Sequence, residues 1–377
     1  MDTLPRPSGQ PYAGHLPRWA GEPLALLEEG AALGSLFALS LGVPAVVGFS
    51  PEWNRQLLGD LDTFRSGGSF SRLVPHLAGG VILLDAPGHR SRRAHLNVPF
   101  SAASLASLRE RLRVLLHHLR PEGEFDALRW ADDTTLHLLN AAYFSGEFPV
   151  PLLRAFLAPL RRPFPAPMLP RPALFARASA EITRLACRRR AEGGTDLLAH
   201  LARLEGHVEE TRVTLAAAHD TTTHTLAWAV WHLAHHPEWR TREGLRPVVR
   251  ETLRLTPPGF IGSRRLGREV EFGGHRLTRG TLALYSPYLT HRDPDLWARP
   301  LAFDPARFGR PPAAWSYLPF GGGERTCLGM HLAHLLLDES LSALLGGELK
   351  PVRGNATLRP GVTLGPTGPL VVAYRGR

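Results

Sequence analysis

The sequence predicts a mainly α-helical protein with small β-sheets, built as one domain over residues 1–377. Three observations predict it. Apolar residues recur at intervals of three and four through most of the chain after residue 100, the period of helices that bury one face. Strand-like runs punctuated by glycine are confined to the part before residue 100 and to Phe260–Tyr288. No repeat of about 20 to 50 residues and no long low-complexity linker divides the chain.

Taken in order, residues 20–100 read as a β-rich N-terminal part and 101–377 as a helical part. The charge-free stretch from Gly30 to Pro51 is long enough to raise a membrane span, but Gly42, Pro44, Gly48 and Pro51 interrupt it. LFALSLG and AVVGF within it read as two short buried strands. Ser101–Leu119 carries Leu105, Leu108, Leu112, Leu115, Leu116 and Leu119 on one helical face, and Asp126–Phe144 repeats the pattern. Phe148–Pro172 holds eight prolines, too many for a regular helix, so short helices at best are expected. Ala173–Ala191 and Thr195–Leu204 resume helix. Glu209–His236 is the longest helical candidate, its apolar middle interrupted by HDTTTHT. Asp293–Pro319 reads as coil and Leu328–Leu345 as a closing helix.

Hydrophobic residues make up 44% and charged residues 21%, which supplies a large core and excludes whole-chain disorder. The formal charge is +10, yet of 44 Lys and Arg residues only Lys350 is a lysine. With abundant Arg, Gly and Pro, that points to coding bias rather than to a polyanion partner. Arg161-Arg162 and Arg188-Arg189-Arg190 lack interleaved aromatics or a recognisable binding module, so no nucleic-acid partner is expected. Cys187 and Cys327 are the only cysteines, which excludes a disulfide framework and a four-cysteine metal site. MDTLPRPSGQPYAGHLP has no basic segment leading into an apolar one, so a cytoplasmic protein is expected, as a monomer.

The sharpest local pattern is Phe320-Gly-Gly-Gly-Glu-Arg-Thr-Cys-Leu-Gly329. Glycines permit a tight turn, and Cys327 follows just before a helix, where backbone N–H groups favour a thiolate. Arg325 adds positive charge nearby. A buried cysteine in a turn is the alternative reading. Upstream, Glu251-Thr-Leu-Arg254 sets an acid and an arginine on one helix face. In the interrupted helix, Ala217-Ala218-His219-Asp220-Thr221 places an acid and an alcohol together. The Thr221 hydroxyl is free to bond the carbonyl of Ala217 four residues back and loosen the helix, and the pair is suited to relaying protons. His219 and His224 read as wall or packing residues.

In these motifs the chain resembles the cytochrome P-450 superfamily, the haem-thiolate monooxygenases, over roughly residues 20–370. Phe320, Gly323, Arg325, Cys327 and Gly329 match that family's haem-binding loop at every fixed position. The resemblance implies the cytochrome P-450 fold, with haem b between a long central helix and the cysteine loop, and Cys327 as the metal ligand. Phe320, Gly323, Arg325 and Gly329 would shape the loop, and Ala218 stands where the family usually has a glycine. It further implies that His89 and Arg93, in Asp85-Ala-Pro-Gly-His-Arg-Ser-Arg-Arg93, reach the haem carboxylates with Arg264 and Arg325. Glu251, Arg254 and Arg307 would form a structural network, while Asp220 and Thr221 would be the catalytic pair. Leu336 departs from a glutamate common in the family, and the chain is short for it.

The implied activity is insertion of one oxygen atom from O2 into a C–H bond of a lipophilic substrate. Electrons would come from NAD(P)H through a separate ferredoxin and ferredoxin reductase. Leu153, Phe156, Leu157, Phe164 and Met168 would give 148–172 an oily mouth, open to peripheral membrane contact. An ordinary flexible lid is the alternative. His219 and Leu284-Tyr-Ser-Pro-Tyr-Leu-Thr-His291 look similar to bacterial carotenoid ring hydroxylases, so a carotenoid ring is the expected substrate. Fatty-acid or terpenoid hydroxylation comes next, and a non-catalytic haem-binding protein is the reading from another class. Asp220-Thr221 argues against a peroxygenase.

Overall fold

The computed structural model describes residues 4–67, 73–161 and 171–376. Its axis is one helix of 29 residues, His207–His235, which packs against the helices Ala127–Phe144, Arg242–Leu255 and Met330–Ser342. Asp126 caps the first of these three by accepting from Leu128 N, and Thr241 caps the second through Gly244 N, so both begin where their polar residue stops the preceding chain. Leu226, Val230, Leu245, Val249, Leu337 and Leu341 fill the seam between them.

A five-stranded sheet runs in the order Leu36–Ser40, Pro44–Gly48, Leu282–Tyr285, Gly262–Leu266, Phe64–Arg65. The first two are the expected buried strands, and the second lies parallel to Leu282–Tyr285, joining distant parts of the chain. Trp53 locks the sheet to the helix Pro51–Gly59 by donating its indole N–H to Leu284 O at 2.9 Å. A three-stranded sheet forms from Gly123–Asp126, Val371–Gly376 and Gly347–Arg353.

Residues 20–100 are not β-rich. The helices Pro23–Leu33, Pro51–Gly59 and Gly88–Asn97 outweigh the strands Leu36–Ser40, Pro44–Gly48 and Phe64–Arg65. Pro23 and Pro51 stand at the starts of their helices, where a missing N–H costs nothing, so prolines that read as breakers are helix starters.

The oily-mouth expectation also fails where it can be checked. Leu153, Phe156 and Leu157 lie on the helix Val150–Leu157 and are buried in the core with Leu136, Leu139 and Ile182. A short amphipathic helix gains more by burying its apolar face against protein than by showing it to water. Phe164 and Met168 lie outside the described residues. Among the described residues no helix is long and apolar enough to cross a membrane. The Arg188–Arg190 run is taken up locally: Arg188 and Arg189 pair with Glu147, Arg189 also with Asp196, and Arg190 donates to Ala202 O.

The coil between the sheet and the closing helix is held by one carboxylate. Glu251 accepts from Arg254 Nε at 2.7 Å and Nη2 at 2.8 Å, from Arg307 Nε at 3.0 Å and from Asp304 N at 2.9 Å. Arg254, fully buried, gives its remaining N–H groups to the carbonyls of His291, Pro300 and Ala302. His291 continues the chain of bonds. Leu318 N donates to its Nε2 at 2.8 Å, so its proton sits on Nδ1, directed at Arg254 O 3.2 Å away.

Removing the carboxylate in Glu251→Ala strands a buried guanidinium and is expected to cost about 3–5 kcal/mol, read as a lower denaturation midpoint. A loss under about 1 kcal/mol would show the network is not a unit. Burial, followed by the nearby Arg254 and Arg292, holds the His291 imidazole at about 3 against an ordinary 6.5. The unfolded chain therefore binds the extra proton first. The stabilisation is complete above the unfolded value and is lost as pH falls from there through about 3. In His291→Asn the acid-side slope of stability against pH should flatten by up to about 1.4 kcal/mol per pH unit. An unchanged slope in acid titrations followed by circular dichroism would contradict it.

Candidate active site

The cysteine loop turns on glycines. Gly321 and Gly323 adopt φ of +68° and +64°, and a Cβ on Gly323 would meet Leu58 O at 2.2 Å, so only glycine fits there. The turn returns Cys327 to the start of its own loop, its N–H donating to Phe320 O at 2.8 Å. Gly329 caps the helix Met330–Ser342, and a Cβ on it would sit 4.0 Å from Cys327 Sγ, ordinary contact. The ring of Phe320 packs against His334, with centroids 5.1 Å apart.

Cys327 is open to a solvent-sized probe, yet enough protein surrounds it that burial pushes its thiol upward. A group that is both must line an internal space. The Gly329 N–H and Arg93 favour the thiolate but do not outweigh burial. Burial in the protein therefore opposes the thiolate expected from sequence. Among the described residues no group of three His, Cys, Asp or Glu side chains could hold a metal ion. A metal at Cys327 must bring its other ligands with it.

The central helix opens in the same way. Ala217 is exposed and Ala218 and Thr221 half-buried, while Leu215, Ala216, His219, Asp220, Thr222 and Thr223 around them are buried. Ala218 and Leu328 pack on one core cluster, so both openings border it. Thr221 Oγ1 donates to Ala217 O at 2.8 Å, the expected back-bond. Asp220 and Thr221 are adjacent but their bonds diverge, since Asp220 Oδ2 accepts from Thr363 Oγ1 at 2.5 Å. His219 and His224 are more than wall residues. His219 Nε2 lies 3.4 Å from Asp132, and His224 Nδ1 lies 2.7 Å from Thr363 Oγ1.

Three arginines and the imidazole of His89 gather beside the loop. The pKa of His89 falls to about 4 through burial and then the charges of Arg325, Arg93 and, more weakly, Arg264. Burial and then Arg264 depress Arg325 to about 10, and Asp85 at 3.8 Å only partly opposes this. Arg325 also donates to the carbonyls of Ile82 and Leu84. Buried Nδ1 of His89 and Nε of Arg264 and Arg325 have no hydrogen-bond partner among the described residues. Like charges depressing one another around orphaned N–H groups mark a site built for an anion. Arg93 is placed differently. It braces the loop, donating to Thr326 O at 2.5 Å and Asn97 Oδ1 at 2.7 Å, and shares its field with the Cys327 sulfur.

Sequence reasoning missed Thr363, Asp132 and the scaffold role of His291. The first two carry no local signal. Within the run Leu284–His291, Leu284, Ser286, Thr290 and His291 are buried.

A family model described as cytochrome P450 matches residues 243–346, the stretch from the Glu251 network through the cysteine loop. In solved structures the fold extends over the whole chain. A six-coordinated cytochrome P-450 from Thermus thermophilus matches at 29% identity and TM-score 0.77, covering 94% of this chain and 98% of that one. The chain has the cytochrome P-450 fold. Retinoic acid bound cyanobacterial CYP120A1 matches at TM-score 0.86 and 22% identity over 100% of both chains, a likeness of fold. Among curated relatives, cytochrome P-450 139 of Mycobacterium tuberculosis is 32% identical over 38% of this chain, and the chain covers 40% of its length. Cyclooctatin synthase of Streptomyces melanosporofaciens is 27% identical over 94% of this chain and 91% of that protein.

The cytochrome P-450 fold implies haem, and the residues present fit it. Leu328, next to Cys327, and Ala218 on the central helix pack on one core cluster, and the buried Nε groups of Arg264 and Arg325 have no partner among the described residues. Losing one charge-assisted hydrogen bond costs about 1.5–3 kcal/mol, so Arg325→Ala should weaken haemin binding to the apoprotein by about tenfold or more. Unchanged affinity in a haemin titration would remove Arg325 from the anion site.

Proposed function

We propose that this cytochrome P-450 is a haem-thiolate monooxygenase that hydroxylates a lipophilic isoprenoid. The observation that carries the reading is Cys327, a lone sulfur opened into the interior by a glycine-forced turn, with unneutralised cations at its side. Haem bound there supplies reductive activation of O2 and insertion of one oxygen atom into a C–H bond, the other leaving as water.

The chain's own residues do the rest. Cys327 would hold the haem iron through its sulfur, with the Gly329 N–H and the charge of Arg93 favouring its thiolate form. Arg264, Arg325 and His89 face the haem carboxylates, and Arg93 stiffens the loop. Phe320 and Gly323 hold the loop's shape. Ala218 keeps the central helix low enough to leave room for a small molecule. Thr221 holds its hydroxyl on Ala217 O, and Asp220 stands beside it with Oδ2 held by the Thr363 hydroxyl. Glu251, Arg254 and Arg307 keep the coil rigid. Two electrons per turnover come from NAD(P)H through a separate cytoplasmic ferredoxin and ferredoxin reductase. A net charge of +10 is compatible with an acidic donor.

Isoprenoid chemistry is supported by the relatives' own names, cyclooctatin synthase and a retinoic acid bound P-450. A carotenoid ring is the narrowest form of this reading and the first to test. Reduced protein under carbon monoxide should show a thiolate-ligated Soret band that disappears in Cys327→Ser. A cyclic carotenoid or retinoic acid should then shift the ferric spectrum and yield a hydroxylated product with a surrogate ferredoxin pair. Colourless protein would overturn the haem reading. A thiolate band with no response to either lipid, but a shift with a fatty acid, would overturn the isoprenoid reading.

A further inference from the structure

Asp220 is held from outside its own helix. Thr363 Oγ1 donates to Asp220 Oδ2 at 2.5 Å, and His224 Nδ1, one helical turn beyond Asp220, lies 2.7 Å from the same hydroxyl oxygen. All three side chains are buried. A hydroxyl has one proton to give. With that proton on the carboxylate, His224 must donate from Nδ1, and the bonds run in one direction, His224 to Thr363 to Asp220.

The segment carrying Thr363 is itself fixed. Leu364 N donates to Pro258 O at 3.0 Å, Gly361 N donates to Thr363 O at 3.1 Å, and the Leu364 side chain is fully buried. Gly365 lets the imidazole come close, since a Cβ there would meet the His224 ring at 2.6 Å. Asp220 Oδ1 is buried with no hydrogen-bond partner among the described residues.

We propose that Thr363 and His224 are positioning residues that fix the Asp220 carboxylate by Oδ2 and keep Oδ1 open to a proton in transit. This rests on the monooxygenase reading. Without the clamp, a short carboxylate on a helix rotates towards neighbouring hydroxyls such as that of Thr221, which would lose its bond to Ala217 O. With it, acid and alcohol keep separate partners and adjacent places. The C-terminal turn thereby becomes part of the proton-handling apparatus, although it lies far from the helix in sequence.

The first test needs neither substrate nor turnover. Protein labelled with 15N-histidine, reduced and carbonmonoxy-bound to make it diamagnetic, reports the His224 tautomer by NMR. His224→Asn assigns the signal. The Nδ1–H form is expected in the wild type and in Thr363→Ser, and its loss in Thr363→Val. An Nε2–H form in the wild type, or no response to Thr363→Val, would overturn the clamp.

The second test reads function as hydrogen peroxide released per NADPH consumed with a surrogate ferredoxin pair. Thr363→Val and Asp220→Asn should raise that share about tenfold, within what displaced acid–base groups cost, with KM for the ferredoxin unchanged and Thr363→Ser restored. A purely structural role would lower the melting temperature of Thr363→Val and leave the peroxide share alone, and that result would also overturn the proposal. If the thiolate–carbon monoxide band were absent, the monooxygenase reading would fail by itself, while the tautomer would still report the clamp in the diamagnetic haem-free protein.

Discussion

The structure depends on the carboxylate of Glu251. Buried ion pairs are weak stabilisers when set against well-packed apolar groups, so its importance lies elsewhere. The coil from His291 to Leu318 has little regular structure, yet much of it lies inside the protein. Its carbonyls need donors, because a buried C=O without a partner costs as much as a lost hydrogen bond. Arg254 serves three of them, at His291, Pro300 and Ala302, and can do so only because Glu251 neutralises and orients it. Arg307 is bound to the same carboxylate and adds Ala298 O. His291 carries the restraint on to Leu318, two residues ahead of the cysteine loop. A coil becomes a rigid support without becoming secondary structure.

The cysteine loop then stands against a field the protein does not neutralise by itself. Asp85 lies 3.8 Å from Arg325, too weak a partner for three gathered arginines that keep His89 neutral. Holding such a cluster costs folding free energy, which a bound dianion returns as binding. The formal charge of +10 says little about partners. The placement of Arg264 and Arg325 beside His89 says far more, because like charges are brought together only where something of opposite sign is to be received.

What was legible in the sequence follows from the range of each interaction. The helix at 127–144 was readable from the spacing of its leucines, and that at 207–235 from its long apolar middle, which is buried on all sides. The cysteine loop was readable because its constraint is steric and local, with Gly323 against Leu58 leaving no room for a side chain. Residues 20–100 misled because proline marks a helix start as well as a break, and only the following turn tells them apart. Phe156 and its neighbours misled for a related reason: apolarity says that a face must be covered, not by what. The bond from Thr363 to Asp220 spans 143 positions and joins two common residue types, so nothing local announces it. Long-range polar pairing is the part of a site that one sequence does not disclose.

The polar run in the central helix shows how such pairing and function meet. HDTTTHT would be costly in a buried helix if its groups were left to themselves. Thr221 and Thr225 discharge their hydroxyls on carbonyls four residues back, which satisfies them within the helix and weakens the regular ladder there. Asp220 cannot be satisfied that way, since a carboxylate only accepts, and its partner comes from a separate turn. Ala217 and Ala218 leave the opposite requirement met: no side chain large enough to fill the space beside the loosened turn. A helix with apolar residues throughout this stretch would pack better and close the interior. Polarity at this one turn is made tolerable by the specific partners of Thr221, Thr225 and Asp220 Oδ2, and the room it leaves is where the chemistry of Cys327 has to take place.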